Sequence, residues 1–219
     1  MTRAEVMALY HRVAEIGEMM VLDEEAFALH EAARRATVGI PLVEIGSFKG
    51  TSASMLLSGM AGQSFLVCVD PHTGVSDTTN APEQIDPAFT TIADFWRAIR
   101  MTGRQRGCVI VPARSDEAFS VVQRLVGASG AGLVFVDGSH MENDAYKDFD
   151  SYSRLIVPGG FLVVDDLGYE TVRRAWDRWD HRVHHFAPVD LRVWGIVDEV
   201  HRRLHEGCVA KMAFFQRTR

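Results

Sequence analysis

Two apolar, β-branched stretches of this chain end abruptly in side chains that can do acid–base chemistry. Residues 134–140 form the first stretch, which ends in an acid and, three residues later, a histidine. Residues 160–166 form the second stretch, which ends in two acids. The groups concerned are Asp137, His140, Asp165 and Asp166. If the two stretches are neighbouring parallel strands, all four groups meet at one carboxyl edge, where open α/β sheets bind their ligands.

Length and composition predict one domain over residues 1–219. The chain has a formal net charge of -6 and 47% hydrophobic residues, which suits a soluble globular unit. The acidic balance gives no general attraction to nucleic acid or to an anionic membrane. We find neither a signal-peptide pattern nor an apolar run of the roughly 20 residues that span a membrane. Three cysteines without CxxC spacing favour a reducing, cytoplasmic location over a disulfide framework.

The segment 46–52 predicts a glycine turn between a strand and a helix. It follows the apolar run 42–45 and carries Gly46 and Gly50, with Glu44 two residues before the first glycine. Glycines let a ligand approach the backbone closely, and a helix N-terminus offers free N–H donors. The spacing is GxxxG rather than the dinucleotide pattern GxGxxG. Taken alone, such a segment is as often a plain tight turn as a ligand site.

The remaining elements predict an α/β fold. Two helices within residues 1–38 precede five alternations of strand and helix, which indicate a doubly wound, mostly parallel sheet over residues 40–219. We expect residues 193–197 and 209–215 to add a terminal antiparallel pair. The second strand ends in Asp70, at the place where such folds hold a ribose diol; an acid that only caps a loop is the alternative. The polar stretch 71–87 is a candidate lid.

This pattern resembles the class I S-adenosylmethionine-dependent methyltransferases. The resemblance is carried by residues 43–52, by the strand that ends in Asp70 and by the strand that ends in Asp137. Within that class the chain is similar to the divalent-metal-dependent O-methyltransferases, which include catechol-type enzymes and sugar O-methyltransferases of macrolide and polysaccharide pathways. The similarity covers about residues 40–170. It implies a seven-stranded Rossmann-like sheet, S-adenosylmethionine as the methyl donor, and Mg²⁺ or another divalent cation.

The resemblance also implies roles for individual residues. The residues expected to surround the cofactor are Glu44, Gly46, Phe48, Ser52, Asp70, Ser115 and Asp137. The metal ligands implied are Asp137, Asp165 and Asp166, and hard carboxylates do suit a hard cation. His140 stands where catechol-type relatives place a lysine base, and an imidazole can take a proton near neutral pH. The alternatives are that the two adjacent acids cap a helix, that His140 is structural, and that Phe48 packs against the N-terminal helices.

The substrate we expect is a small-molecule or oligosaccharide acceptor with adjacent hydroxyls, because a vicinal diol suits bidentate binding to a metal. The histidine and the polar loop favour a sugar or another polyhydroxylated acceptor, such as a mannoside of polysaccharide biosynthesis. Candidate acceptor residues are Tyr169, His181, His184, His185, Arg192 and Trp194. A catechol or phenolic acceptor is the alternative within the class; an NAD-dependent oxidoreductase and a non-catalytic binding protein are alternatives outside it. The apolar face of the first helix suits a homodimer.

Overall fold

A single mixed sheet forms the centre of the computed structural model, which describes residues 1–17, 21–73, 90–196, 208–209 and 211–219. The strand order is β3-β2-β1-β4-β5-β8-β6, with β7 paired to β8 alone. The first five strands are parallel, whereas β8 runs antiparallel to β5 and β6. The strands are β1 Leu42–Ile45, β2 Leu66–Val69, β3 Cys108–Val111, β4 Ala131–Val136, β5 Ile156–Val164, β6 Phe186–Pro188, β7 Cys208–Val209 and β8 Met212–Arg217. The predicted doubly wound fold is therefore confirmed.

Seven helices cover the two faces of the sheet within the described ranges. They are α1 Arg3–Gly17, α2 Asp23–Arg35, α3 Thr51–Gly59, α4 Ile92–Met101, α5 Ser115–Val126, α6 Glu142–Ser153 and α7 Glu170–Trp179. Helices α1 to α4 pack with one set of strand side chains, and α5 to α7 pack with the set that alternates with it. This burial on both faces explains why the parallel strands are nearly continuous apolar runs.

The register of the central strands determines which residues meet at the carboxyl edge. Ile45 of β1 pairs with Val136 of β4, and Val136 pairs with Val164 of β5. The hydrogen bonding continues one residue further, from Asp137 N to the Ile45 carbonyl at 2.9 Å and from Asp165 N to the Val136 carbonyl at 3.0 Å. The ends of β1, β4 and β5 therefore lie side by side, at the point where the strand order reverses.

The terminal antiparallel pair differs from the prediction in one of its members. Strand β8 overlaps the predicted run 209–215 and extends to Arg217, but residues 193–197 supply no partner strand in their described part. Leu191–Trp194 is instead a 3₁₀ turn, whose start is capped by the Asp190 side chain and which ends at Gly195 in the left-handed region. The apolar spacing of the predicted run came from burial of Trp194 and Ile196 at this turn rather than from a strand. Phe186–Pro188 pairs with β8 in its place.

The two N-terminal helices belong to the same apolar core as the sheet. Helix α2 packs on α3, and its Glu25 accepts a hydrogen bond from the backbone N of Lys211 at 3.0 Å. The lid predicted over residues 71–87 lies largely outside the described residues, because the description stops at residue 73 and resumes at residue 90. Among the helices described, none is long and apolar enough to cross a bilayer. The homodimer stays a prediction.

Candidate active site

A cleft opens at the carboxyl edge between β1 and β4, where the sequence predicted a site. The glycine turn 46–50 and the start of α3 form one wall, and the loop after β4 faces them. Val21, just before α2, and Lys211, just before β8, also line it. The N-terminal helices therefore contribute to the cleft, although the sequence left open whether they cover it.

Gly46 lies where two sides of the cleft touch. We call the side of the glycine turn 46–50 the cofactor side, and the side of Asp137, His140, Asp165 and Asp166 the acid side. Its φ is +87°, and a Cβ added there would lie 1.8 Å from the backbone oxygen of Asp137. Only glycine combines that conformation with so close an approach of a second backbone. The glycine is thus required by the packing of β1 against β4 as well as by any ligand, which the motif alone did not reveal.

Glu44 is fully buried on β1, beneath the glycine turn. Among the described residues, no group makes a hydrogen bond of ordinary geometry to either of its carboxylate oxygens. Burial raises the pKa of Glu44 to about 7, against a lowering influence of the hydroxyls of Ser47 and Ser52. Those two serines line the cleft whereas Glu44 does not. Glu44 therefore lies beneath the turn rather than in the cleft wall.

Asp70 shapes the turn that the cofactor is expected to cross. One carboxylate oxygen accepts the backbone N–H of Phe48 at 2.7 Å, and the other accepts that of His72 at 2.6 Å. Phe48 and His72 both have positive φ, at 41° and 55°, so these bonds hold two backbones in a sparsely populated region. Each carboxylate oxygen has more than one acceptor site, which leaves capacity for a ribose hydroxyl.

Ser115 lies at the first turn of α5 and lines the cleft, as expected of a residue beside an adenine. Its carbonyl accepts the hydroxyl of Tyr152 at 2.6 Å. Next to it, Asp148 is 3% exposed, and its Oδ2 has no hydrogen-bond partner within the described part of the chain. Burial raises the pKa of Asp148 to about 7, opposed by the Ser115 hydroxyl. The sequence did not single out Asp148, because an acid within an amphipathic helix gives no local signal of its direction.

Three of the four groups that were predicted to meet at the sheet edge do so within the cleft. One oxygen each of Asp137 and Asp166 and one ring nitrogen of His140 lie within 4.8 Å of one another. Two hard oxygens and an imidazole form a donor set that a divalent cation can use. Burial, reinforced by the charge of Asp165, raises the pKa of Asp137 well above its ordinary value. The arrangement thus fits a cation, which would relieve the repulsion between the acids.

Asp165 is a neighbour of this group but not a member of it. Its Oδ1 accepts the backbone N–H of Asp166 at 2.7 Å, and its Oδ2 accepts the ammonium of Lys211 at 3.0 Å. The same ammonium contacts Asp166 Oδ1 at 2.9 Å. The sequence analysis missed Lys211, which lies 46 residues after Asp165. The lone charge of Lys211 inside the apolar run 209–215 is the signal that could have identified it.

His140 is held from two sides. Its Nε2 lies 2.7 Å from Asp166 Oδ2, and its ring stacks on Tyr169 with centroids 4.5 Å apart. Despite an opposing effect of burial, the hydrogen bond from His140 and the charge of Lys211 lower the pKa of Asp166. An imidazole that is oriented by a carboxylate in this way is suited to act as a base toward a substrate.

Most of the candidate acceptor residues pack elsewhere. The Trp194 ring is buried against Phe161 and Phe214, while His181 and His184 stack on tryptophans of α7. Arg192 pairs with Asp190. His185, with φ +64°, accepts two hydrogen bonds from Thr218 at its carbonyl. None of the six candidates lines the cleft, and among them Tyr169 contacts a cleft residue, His140.

Comparison with known proteins assigns the chain to a family. A family model described as "Methyltransferase domain" matches residues 43–167, which include β1 to β5 and every acid at the sheet edge. This span is more than half of the 219 residues, and the chain belongs to this methyltransferase family. The predicted class I methyltransferase is therefore confirmed.

Solved structures of similar fold agree with that assignment. TomG, an O-methyltransferase of Streptomyces achromogenes involved in tomaymycin synthesis and solved with S-adenosylmethionine, is 18% identical with a TM-score of 0.57, over 85% of this chain and 81% of TomG. An O-methyltransferase from Bacillus cereus, solved with S-adenosylhomocysteine, is 13% identical with a TM-score of 0.57, over 84% and 80%. A Corynebacterium glutamicum protein is 16% identical with a TM-score of 0.63, over 100% and 91%. These identities establish a shared fold.

Proposed function

We propose that this methyltransferase transfers the methyl group of S-adenosylmethionine to a hydroxyl of a sugar or another polyhydroxylated small molecule. The observation that carries the proposal is the direct contact of the glycine turn with the acid group, because Gly46 packs on the backbone of Asp137. A donor lying across the turn would be next to an acceptor lying on the acids. The complexes of TomG and of the Bacillus cereus enzyme support the choice of donor.

The cofactor side of the cleft has a complementary charge for such a donor. S-adenosylmethionine supplies an electrophilic methyl group on a sulfonium, together with a positively charged amino group. Asp70 and Asp137 line the cleft, with Glu44 beneath it, so this side offers acids to a cationic ligand. In this proposal Asp70 binds the ribose, and Ser115 lies beside the adenine. Phe48 and Ser52 surround the methionine part.

The acid side of the cleft would bind the acceptor and take its proton. We assign His140 as the base, because Asp166 orients its ring and Tyr169 stacks against it. The proton of the acceptor hydroxyl would pass to the imidazole as the oxygen attacks the methyl carbon, and the sulfur–methyl bond would break to release S-adenosylhomocysteine. Asp166 would stabilise the imidazolium. Holding the two reactants in one cleft supplies a further part of the rate acceleration.

A divalent cation fits the same side. In this proposal Asp137, Asp165 and Asp166 hold it, although Asp165 and Asp166 both contact Lys211 in the structure. A cation there would acidify the acceptor hydroxyl and fix its orientation. Adjacent hydroxyls suit that role, and the polar character of the acid side favours a sugar over an apolar ring.

A binding and turnover experiment tests the function. We expect S-adenosylmethionine to bind in calorimetry and NAD not to bind. Labelled S-adenosylmethionine is then incubated with a panel of monosaccharides, oligosaccharides and catechols, with Mg²⁺ or with EDTA, and methylated product is measured by mass spectrometry. Binding of NAD with no response to S-adenosylmethionine would overturn the proposal. Methylation of catechols alone would retain the enzyme class and reject the acceptor, and full turnover in EDTA would reject the cation.

A further inference from the structure

Lys211 is fixed in place by contacts on both its backbone and its side chain. Its backbone N–H donates to Glu25 Oε1 of α2 at 3.0 Å, and its carbonyl accepts the N–H of Leu167 at 3.3 Å. These bonds tie the start of β8 to the N-terminal helices and to the loop after β5. The side chain of Lys211 therefore reaches the acids from a backbone that is held by two hydrogen bonds.

The ammonium of Lys211 occupies carboxylate oxygens that a metal would use. It takes Oδ2 of Asp165 and Oδ1 of Asp166, while His140 takes Oδ2 of Asp166 and a backbone N–H takes Oδ1 of Asp165. Every oxygen of these two acids thus has a partner in the protein. The Asp165 side chain is 0% exposed and the Lys211 side chain is 34% exposed. Lys211 lines the cleft, and its ion pair with Asp165 lies behind the cleft wall.

A divalent cation at this place would meet a resident positive charge. The ammonium of Lys211 lies 3.0 Å from one oxygen of Asp165 and 2.9 Å from one oxygen of Asp166, so a positive charge is already held between the two carboxylates. A cation that needs several oxygen ligands would have to displace the ammonium from two of them, or bind beside it against repulsion. Both routes lower its affinity for the site.

We propose that Lys211 is the built-in counter-cation of the acid group and that it sets the affinity of that group for a divalent metal ion. The ammonium competes with the ion for the carboxylates of Asp165 and Asp166. This inference rests on the proposed function only in taking these acids as the metal site. It makes Lys211 a positioning residue that holds the two carboxylates in fixed directions when no metal is bound.

Metal binding without cofactor or acceptor provides the test. Mn²⁺ is titrated into the wild-type protein and into Lys211→Met and Lys211→Arg, and free Mn²⁺ is measured by electron paramagnetic resonance. Removing one positive charge a few ångströms from a dication should tighten binding by about tenfold or more. Lys211→Arg keeps the charge and should bind Mn²⁺ about as weakly as the wild type. Thermal unfolding and S-adenosylmethionine binding, measured on the same samples, report folding and the cofactor side separately.

A second neutral variant protects the test against loss of folding. Lys211→Met leaves Asp165 buried without its ion partner, which is destabilising, whereas the amide of Lys211→Gln still donates to that carboxylate. Tighter Mn²⁺ binding in either folded neutral variant, but not in Lys211→Arg, supports the inference. Equal or weaker binding in the neutral variants overturns it, as does an absence of Mn²⁺ binding in all forms. Because methyl transfer is assayed separately, none of these results depends on whether the proposed acceptor is correct.

Discussion

Two buried carboxylates near the same sheet edge differ in their hydrogen-bond and ion-pair partners. Glu44, on β1 beneath the glycine turn, has no well-formed hydrogen bond from the described residues, whereas Asp165, directly after β5, is bonded at both oxygens. Burial raises the pKa of each, but only at Asp165 does a cationic side chain, Lys211, oppose the rise. Beneath the glycine turn the buried acid has no ion partner among the described residues, and burial favours its protonated form. After β5 the buried acid is paired with a lysine of the protein.

The largest effect is expected at Gly46, where the two sides touch. Gly46→Ala places a Cβ against the Asp137 backbone at positive φ, and we expect a loss of about 3 kcal/mol or more in the free energy of unfolding. Gly39→Ala is the matched control, because Gly39 has a φ of +80° and nothing within 4 Å of its added Cβ. It should lose only about 1 kcal/mol. Urea unfolding of both variants measures the difference, and equal losses would show that the close contact is unimportant.

Removal of His140 should affect only the acid side. His140→Gln is expected to lower kcat by about 10² to 10⁴, the usual contribution of a general base, while the affinity for S-adenosylmethionine stays unchanged. His11→Gln, which removes an exposed histidine paired with Asp23 on the surface, is the control and should keep full activity. Calorimetry and steady-state kinetics give the two readouts. Full turnover of His140→Gln between pH 6 and 9 would return this residue to a structural role.

Glu44, on the cofactor side, should make the free energy of unfolding depend on pH. The folded protein retains this proton up to a pKa of about 7, whereas the unfolded chain releases it near an ordinary glutamate value. The folded state thus binds more protons between these limits, so stability falls as pH rises through that window and then levels off. Glu44→Gln should remove about 3 kcal/mol of this fall.

The Glu44 prediction is checked by urea unfolding at several pH values without ligand. Glu117→Gln, an exposed acid on α5, is the control variant and should follow the wild type. A pH profile of Glu44→Gln that coincides with the wild type would mean that Glu44 is already charged and partnered in the folded protein.

The smallest effect is expected at Tyr169. Tyr169→Leu removes the ring that stacks on His140 at 4.5 Å, so the base should lose part of its orientation, with a decrease in kcat of severalfold from an interaction of about 1 kcal/mol. Tyr169→Phe keeps the stacking and should retain wild-type kcat. If the phenylalanine variant were as impaired as the leucine variant, the hydroxyl rather than the ring would be the important group.

The sequence by itself determined the sheet edge and most of what lies along it. Apolar β-branched runs predicted the parallel strands, and the acids after β4 and β5 were predicted to meet because parallel strands have their carboxyl ends on one side. Gly46 and Asp70 were chosen from the same local pattern. Such features follow from neighbours in sequence and from strand periodicity, and these are present in the printed chain.

Tertiary structure alone decided how the charges at that edge are paired. Asp166, which has a φ of +60°, contacts both His140 and Lys211. Asp165 contacts Lys211 and the backbone of Asp166. Lys211 reaches the site because β8 returns antiparallel to β5, and no local pattern encodes that distance. The terminal edge strand was misplaced for a related reason. Trp194 and Ile196 are buried two residues apart, which is also the spacing of a strand, although a 3₁₀ turn ends there. Pairing between distant segments depends on the packed chain, so sequence periodicity cannot specify it.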